Sequence, residues 1–287
     1  MNRSDIIVML SRQRSGTNAL RSILESHPDI ACFNEVFNFP DKDSEDPSLK
    51  YPNFFTFLEG YADGDIRRIF PDRHEKLFLD FLEYLRCFSP TRYLVIDVKY
   101  NMTQFFTKPW EPMGSRYLLE LISTHGLRVL NITRKNYLRY VLSVLKAFGT
   151  GTYTTTSEDS IHDTTKVLSV ASMFSEFERC RREDDLIERH FGRYPLFLSY
   201  EYARLFPPPA GRIAPDFLAL ITGWLGVSPS FVRKVPGFRK QSYLTLAETI
   251  ENYDEVAAAL AGTEFEQFLK DEPGYSRRKE VARRGQR

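Results

Sequence analysis

Asp5-Ile6-Ile7-Val8-Met9-Leu10, followed by Ser11-Arg12-Gln13-Arg14-Ser15-Gly16-Thr17-Asn18, constrains the fold more than any other stretch of the chain. The apolar run 6–10 predicts a short buried strand. Residues 11–16 are too polar and too small to continue it. Over 17–26, Ala19, Leu20, Ile23 and Leu24 recur at helical spacing, which predicts a helix with one inward face. Strand, tight polar loop and helix together form an anion-binding turn. Loop N–H groups point inward, and the positive end of the helix dipole lies behind them. The two arginines, Ser15, Thr17 and Asn18 add side-chain donors. The loop is therefore expected to hold a phosphate of a nucleotide.

The rest of the chain supplies a sheet for that turn. Further strands are predicted at 29–33, 93–98, 127–133 and 196–200. Helices are predicted at 115–124, 136–147, about 165–190, 215–225 and 248–260, with 53–88 helical in pieces. The expected inner faces are Phe78, Leu79, Leu82 and Leu85; Leu138, Val141, Leu142 and Leu145; and Val167, Val170, Ala171, Phe174 and Phe177. Residues 38–52, 100–114 and 149–164 read as loops or connections. Strands alternating with helices give an α/β fold: a P-loop-like central parallel sheet flanked by helices. One domain is expected over 1–270, with a basic tail at 271–287. In such sheets ligands bind at the carboxyl ends of strands. Arg14, Glu35, Lys99, Arg134 and Tyr200 all stand there.

Composition narrows the partners. A net charge of +1 gives no general drive toward nucleic acid or a membrane surface. Cys32, Cys87 and Cys180 are scattered, without metal-ligand spacing, and read as reduced thiols of a cytoplasmic protein. No apolar run approaches membrane-spanning length, and the first strand begins almost at once, so neither a span nor a signal peptide is expected.

The loop is not a standard ATP-binding loop. G-x-x-x-x-G-K-[ST] needs a lysine and a magnesium-binding hydroxyl at fixed spacing, and here the cation, Arg14, precedes the Ser-Gly-Thr turn. The nucleotide is expected to be bound through arginine and backbone N–H groups, without metal. Arg134 opens a second anion site. Arg139, Ser143 and Lys146 line one polar stripe of the helix that follows it. Two separated phosphate sites point to a nucleotide phosphorylated at both its 5′ and 3′ positions.

At these residues the chain resembles the sulfotransferases that use 3′-phosphoadenosine 5′-phosphosulfate (PAPS), in particular the bacterial carbohydrate type. Arg14-Ser15-Gly16-Thr17-Asn18 is similar to the family's 5′-phosphosulfate loop. Ile132-Thr133-Arg134 through Ser143 is similar to its 3′-phosphate motif. The segment from His27 to Phe37 resembles the one after the first helix of bacterial members. Tyr200-Glu201 resembles the Tyr-Glu whose tyrosine lies near adenine, and Arg239-Lys240-Gln241 the basic segment that closes over the 3′-phosphate. The spacing from Arg134 to Ser143 is nine, where many members have eight, which leaves Arg134 and Lys135 as alternatives for the 3′-phosphate. Tyr200 is open between adenine contact and core packing.

The resemblance implies a sulfotransferase fold and transfer of a sulfuryl group from PAPS to an acceptor hydroxyl, releasing adenosine 3′,5′-bisphosphate. Glu35 is the candidate base. Arg14 and Lys99 are the cations that neutralise the transferring sulfate and the departing phosphate. The acceptor is expected to be a small molecule, glycan or glycolipid, with a sugar hydroxyl as first choice. Phe54, Phe55, Phe57, Tyr61, Phe105, Phe106, Trp110 and Tyr153 are expected around its pocket. A homodimer is left open. The rival readings are a P-loop-type small-molecule kinase and a nucleotide-binding protein without catalysis.

Overall fold

The strand expected at the start of the chain forms as β1 (Ile6–Ser11), and all its residues are buried. The computed structural model describes residues 2–38, 52–103, 105–106, 116–150, 165–207, 212–232 and 244–271. In chain order the elements are β1, α1 (Thr17–Leu24), β2 (Ile30–Phe33), α2 (Phe54–Ala62), α3 (His74–Arg86), β3 (Tyr93–Lys99), α4 (Tyr117–Thr124), β4 (Arg128–Thr133), α5 (Tyr137–Thr150), α6 (Val170–Phe191), β5 (Phe197–Glu201), α7 (Tyr202–Leu205), α8 (Pro215–Leu225), α9 (Leu246–Thr249) and α10 (Tyr253–Leu260). They fall into two compact units that interleave along the sequence.

The first unit comprises Met1–Arg12, Leu24–Ile132 and Ile187–Tyr200, and it contains the sheet. The five strands lie in the order β2-β3-β1-β4-β5. β1 pairs in parallel with β3 on one side and β4 on the other, and β2 pairs in parallel with β3. A central strand covered on both faces must be apolar throughout, which is why β1 reads as an unbroken apolar run rather than an alternation. β3 is equally buried along its length, yet it carries Asp97 and Lys99. α3 buries Leu77, Phe78, Phe81, Leu82 and Leu85. Leu79 is only half-buried, one position off the face actually used. Asn53 caps α2 by accepting the N–H of Thr56 at 2.9 Å.

The second unit comprises Gln13–Ile23, Thr133–Leu186 and Glu201–Arg287. Its core joins Leu138, Val141 and Leu142 of α5 to Met173, Phe177 and Cys180 of α6, and to Val256 and Leu260 of α10. Two expectations change here. α6 begins at Val170, because Lys166 is drawn into a parallel bridge with Ile250 that keeps the preceding residues extended. Val167 is accordingly exposed, and the buried stripe of α6 is Met173, Phe177, Cys180 and Ile187. The same bridge interrupts the helix expected over 248–260. α9 ends at Thr249, and α10 starts after Asn252. In the last turns of α5, Lys146 and Ala147 are covered while Leu145 and Phe148 are exposed.

Candidate functional site

In the first unit the chemistry gathers where β3 ends. Residues two apart on a strand share a face, so Asp97 and Lys99 are neighbours. Both are fully buried. Lys99 Nζ donates to Asp97 Oδ1 at 2.7 Å and Oδ2 at 2.8 Å. It also donates to Ser11 Oγ at 3.3 Å, the residue that faces it across the β1–β3 register. Glu35 Oε1 lies 3.7 Å from the same ammonium. Glu35 is half-buried and held by a turn whose next residue, Val36, donates its N–H to the Asp97 carbonyl at 3.2 Å. The Asn38 amide donates to Glu35 Oε2 at 3.4 Å. Beyond this group, Tyr100 donates to Asn131 Oδ1 at 2.7 Å, and Asn131 donates to Ser199 Oγ at 3.3 Å. The buried Arg12 guanidinium sits 5.2 Å from the centre of the Tyr100 ring, a cation–π contact.

In the second unit the loop before α1 meets α5. Arg14 Nε donates to Ser143 Oγ at 3.3 Å. Arg134 Nη1 donates to the Arg14 carbonyl at 2.7 Å, and its guanidinium lies 5.0 Å from the centre of the Tyr202 ring. Arg134 is buried, whereas Lys135 is exposed. The buried Ser15 Oγ and Arg134 Nε have no hydrogen-bond partner among the described residues. Both are donors, and buried donors of this kind are costly unless something accepts from them.

Backbone strain marks the same residues. Only three described non-glycine residues have positive φ: Arg14 at 60°, Glu35 at 24° and Asp63 at 41°. Asp63 merely caps α2. The other two are the proposed sulfate-contacting cation and the proposed base, and strain of this sort concentrates where side chains must be aimed. Gly16 is constrained twice. Its φ is +70°, and a Cβ there would lie 2.6 Å from Tyr202 Cε2. Gly16→Ala is expected to cost about 1–3 kcal/mol of stability. It should also displace Tyr202 from Arg134. A urea midpoint equal to that of the unsubstituted protein would show that the loop has another arrangement open to it.

The structure thus brings Glu35 to Lys99, and Arg14 to both Arg134 and Ser143. Thr17 is buried at the start of α1, and Asn18 follows it half-buried. Tyr200 is buried within β5. Arg239 and Lys240 lie outside the described residues, as do Trp110 and Tyr153. Of the expected pocket aromatics, Phe54, Phe57 and Phe106 are core residues. Tyr61 is tied to Asp80 by a 2.8 Å hydrogen bond. Phe55 and Phe105 remain half-exposed, and Phe105 stacks on Phe37, two residues after Glu35. Sequence reasoning missed Asp97 and Tyr202. Asp97 carries a signal, as the one acid inside the apolar strand 93–98. Tyr202 carries none, because its role depends on which residues fold against Gly16 and Arg134.

Sheet order and a strand–loop–helix opening make this a P-loop-like α/β protein. No family model matches the chain. Nodulation protein H of Rhizobium tropici is 26% identical over 265 residues, a match that covers 92% of each chain. Among solved structures, a sulfotransferase from Alicyclobacillus acidocaldarius is similar at 14% identity and a TM-score of 0.43, over 92% of this chain and 94% of that one. A sulfotransferase domain from the curacin biosynthetic pathway is similar at 14% identity and 0.44, over 98% and 97%. Mouse sulfotransferase SULT7A1 complexed with PAP is similar at 14% identity and 0.43, over 93% and 88%. Those structural likenesses are too slight to carry an assignment. The similarity to nodulation protein H thus runs over nearly the whole of both chains.

Proposed function

We propose that the protein transfers a sulfuryl group from PAPS to a hydroxyl of a carbohydrate or glycoconjugate acceptor. One observation carries this reading. Arg14 of the first motif and Ser143 of the second, 129 residues apart, are joined by a hydrogen bond, and Arg134 is fastened to the Arg14 carbonyl. Motifs so distant in sequence converge on one grip. The residues present fit the nucleotide: the buried, unpartnered Ser15 Oγ and Arg134 Nε are donors suited to phosphate oxygens. Arg14, Ser15, Gly16, Thr17 and Asn18 would hold the sulfate-bearing end. Arg134 and Ser143 would hold the 3′-phosphate; the family resemblance adds Arg239 and Lys240, which lie outside the described residues. The burial of Arg134 and the exposure of Lys135 favour Arg134 for that role.

When bound, PAPS supplies an SO₃ group whose bond to phosphate oxygen breaks as a bond to the acceptor oxygen forms, leaving adenosine 3′,5′-bisphosphate. Glu35 would take the acceptor's hydroxyl proton, Lys99 would neutralise charge beside it, and Arg14 would do so at the sulfate-bearing end. Tyr200, buried in β5, serves packing better than adenine contact. The half-exposed rings of Phe55 and Phe105 suit the apolar face of a sugar ring.

Calorimetric titration with adenosine 3′,5′-bisphosphate in EDTA tests the cofactor. Binding is expected without metal, and Arg134→Ala should weaken it about 10–100-fold. No heat at up to about 1 mM, where binding is worth only ~4 kcal/mol, would sink the assignment. Binding that appears only with magnesium would favour the kinase reading.

A further inference from the structure

We infer that Tyr202 is a positioning residue of the nucleotide site: its ring backs the Arg134 guanidinium and so presents the donors along the rim of that group to the 3′-phosphate. The inference rests on the reading of Arg134 as the holder of that phosphate. All the residues involved belong to the second unit. The Arg134 guanidinium carbon lies over the Tyr202 ring, 5.0 Å from its centre. Arg134 Nη1 donates to the Arg14 carbonyl at 2.7 Å. The buried Arg134 Nε has no acceptor among the described residues. Tyr202 is half-buried, and its ring is lodged against the phosphate loop. A Cβ on Gly16 would stand 2.6 Å from Tyr202 Cε2 and 3.1 Å from Tyr202 Cδ2.

These contacts divide the surfaces of one planar cation. A guanidinium donates only in its plane, through a fork of N–H groups, and its faces carry no donor. A face laid on an aromatic ring is attracted by the ring's negative π cloud and gives up no hydrogen bond. The bond to the Arg14 carbonyl fixes one corner of the plane. One bond alone leaves the plane able to swing about it, and the ring removes that freedom. Nε–H is then held ready for an acceptor, and a charge-assisted bond of this kind suits a phosphate oxygen. The ring approaches Gly16 so closely that a residue with a side chain would displace it. Glycine in the first motif therefore serves the arginine of the second, with Tyr202 as the spacer between them. The ring face is what the role requires, and the hydroxyl is not.

The test compares two nucleotides by calorimetry, adenosine 3′,5′-bisphosphate and adenosine 5′-phosphate. The ratio of their affinities isolates the 3′-phosphate, and the unsubstituted protein should favour the bisphosphate. Tyr202→Leu keeps apolar bulk without a π face. It should reduce the preference about 3–30-fold, by weakening the bisphosphate and sparing the monophosphate. Tyr202→Phe should retain the preference. In an Arg134→Ala background Tyr202→Leu should lower it no further, because the ring acts through Arg134. A preference unchanged in folded Tyr202→Leu overturns the inference. Equal loss of both nucleotides overturns it as well, since the ring would then serve the adenosine they share. A loss in Tyr202→Phe as large as in Tyr202→Leu, or a further loss on top of Arg134→Ala, does the same. Should Tyr202→Leu fail to fold, Tyr202→Met repeats the measurement, and failure of both assigns the ring to the fold alone and overturns the inference. An unsubstituted protein that bound the two nucleotides equally, or neither, would instead remove the reading of Arg134, and the inference with it.

Discussion

Glu35→Gln is expected to cut turnover about 10²–10⁴-fold, the usual worth of a positioned general base. Affinity for adenosine 3′,5′-bisphosphate should hardly change. Glutamine matches glutamate in size and can still accept from Asn38, so the turn survives. It cannot take a proton, and it removes the negative charge that faces Lys99 at 3.7 Å. The proposed cofactor grip uses Arg14, Arg134 and Ser143, which are joined by hydrogen bonds of their own. A panel of hydroxyl acceptors screened with labelled PAPS supplies the assay, and calorimetry supplies the affinity. Unchanged turnover would take Glu35 out of the mechanism and leave the cofactor reading standing. A parallel loss of affinity would mean that the substitution disturbed the loop instead.

Lys99→Met should damage the fold itself. Both Asp97 oxygens rest on Lys99 Nζ in a wholly buried setting, and removing one partner of a buried ion pair typically costs about 3–5 kcal/mol. That is a large share of a domain's net stability, which is about 5–15 kcal/mol. The remedy is as informative as the injury. Lys99→Met combined with Asp97→Val replaces the pair by apolar side chains suited to a covered strand, and it should recover most of the loss. The double variant should nonetheless remain inactive, because the Lys99 ammonium that faces Glu35 is gone. Urea midpoints of the single and double variants measure the stability, and the labelled-PAPS assay measures activity. A Lys99→Met midpoint like that of the unsubstituted protein would show that Asp97 finds other partners when the ammonium is gone.

Much of this was legible in the sequence because it is local. An unbroken apolar run announces a strand covered on both faces, and polar residues with a glycine announce the turn after it. Arg134 and Ser143 could be paired with Arg14 only as motifs. That they touch depends on a meeting of segments 129 residues apart, which no local pattern encodes. Asp97 shows the limit differently. An acid in an apolar strand was visible, but its significance lies in the lysine two residues on and in a turn contributed by another segment. The face of α6 was misjudged for a related reason. Val167 and Val170 continue a plausible helical stripe, and only the bridge from Lys166 to Ile250 breaks it. Of the aromatics expected around the acceptor pocket, Phe54, Phe57 and Phe106 went to the core, because a ring's apolar area serves a core as readily as a ligand.

The place of β1 in the sheet also bears on how the chain is made. β1 leaves the ribosome well before its two neighbours, β3 and β4, which start at Tyr93 and Arg128. At about 5–20 residues per second, the most apolar segment of the nascent chain waits several seconds for its first partner. During that wait it is an unpaired hydrophobic strand, the sort of species that chaperones hold and that aggregates when they do not. Yield in a heterologous host should therefore respond more to slowed growth and added chaperone than to substitutions on the finished surface.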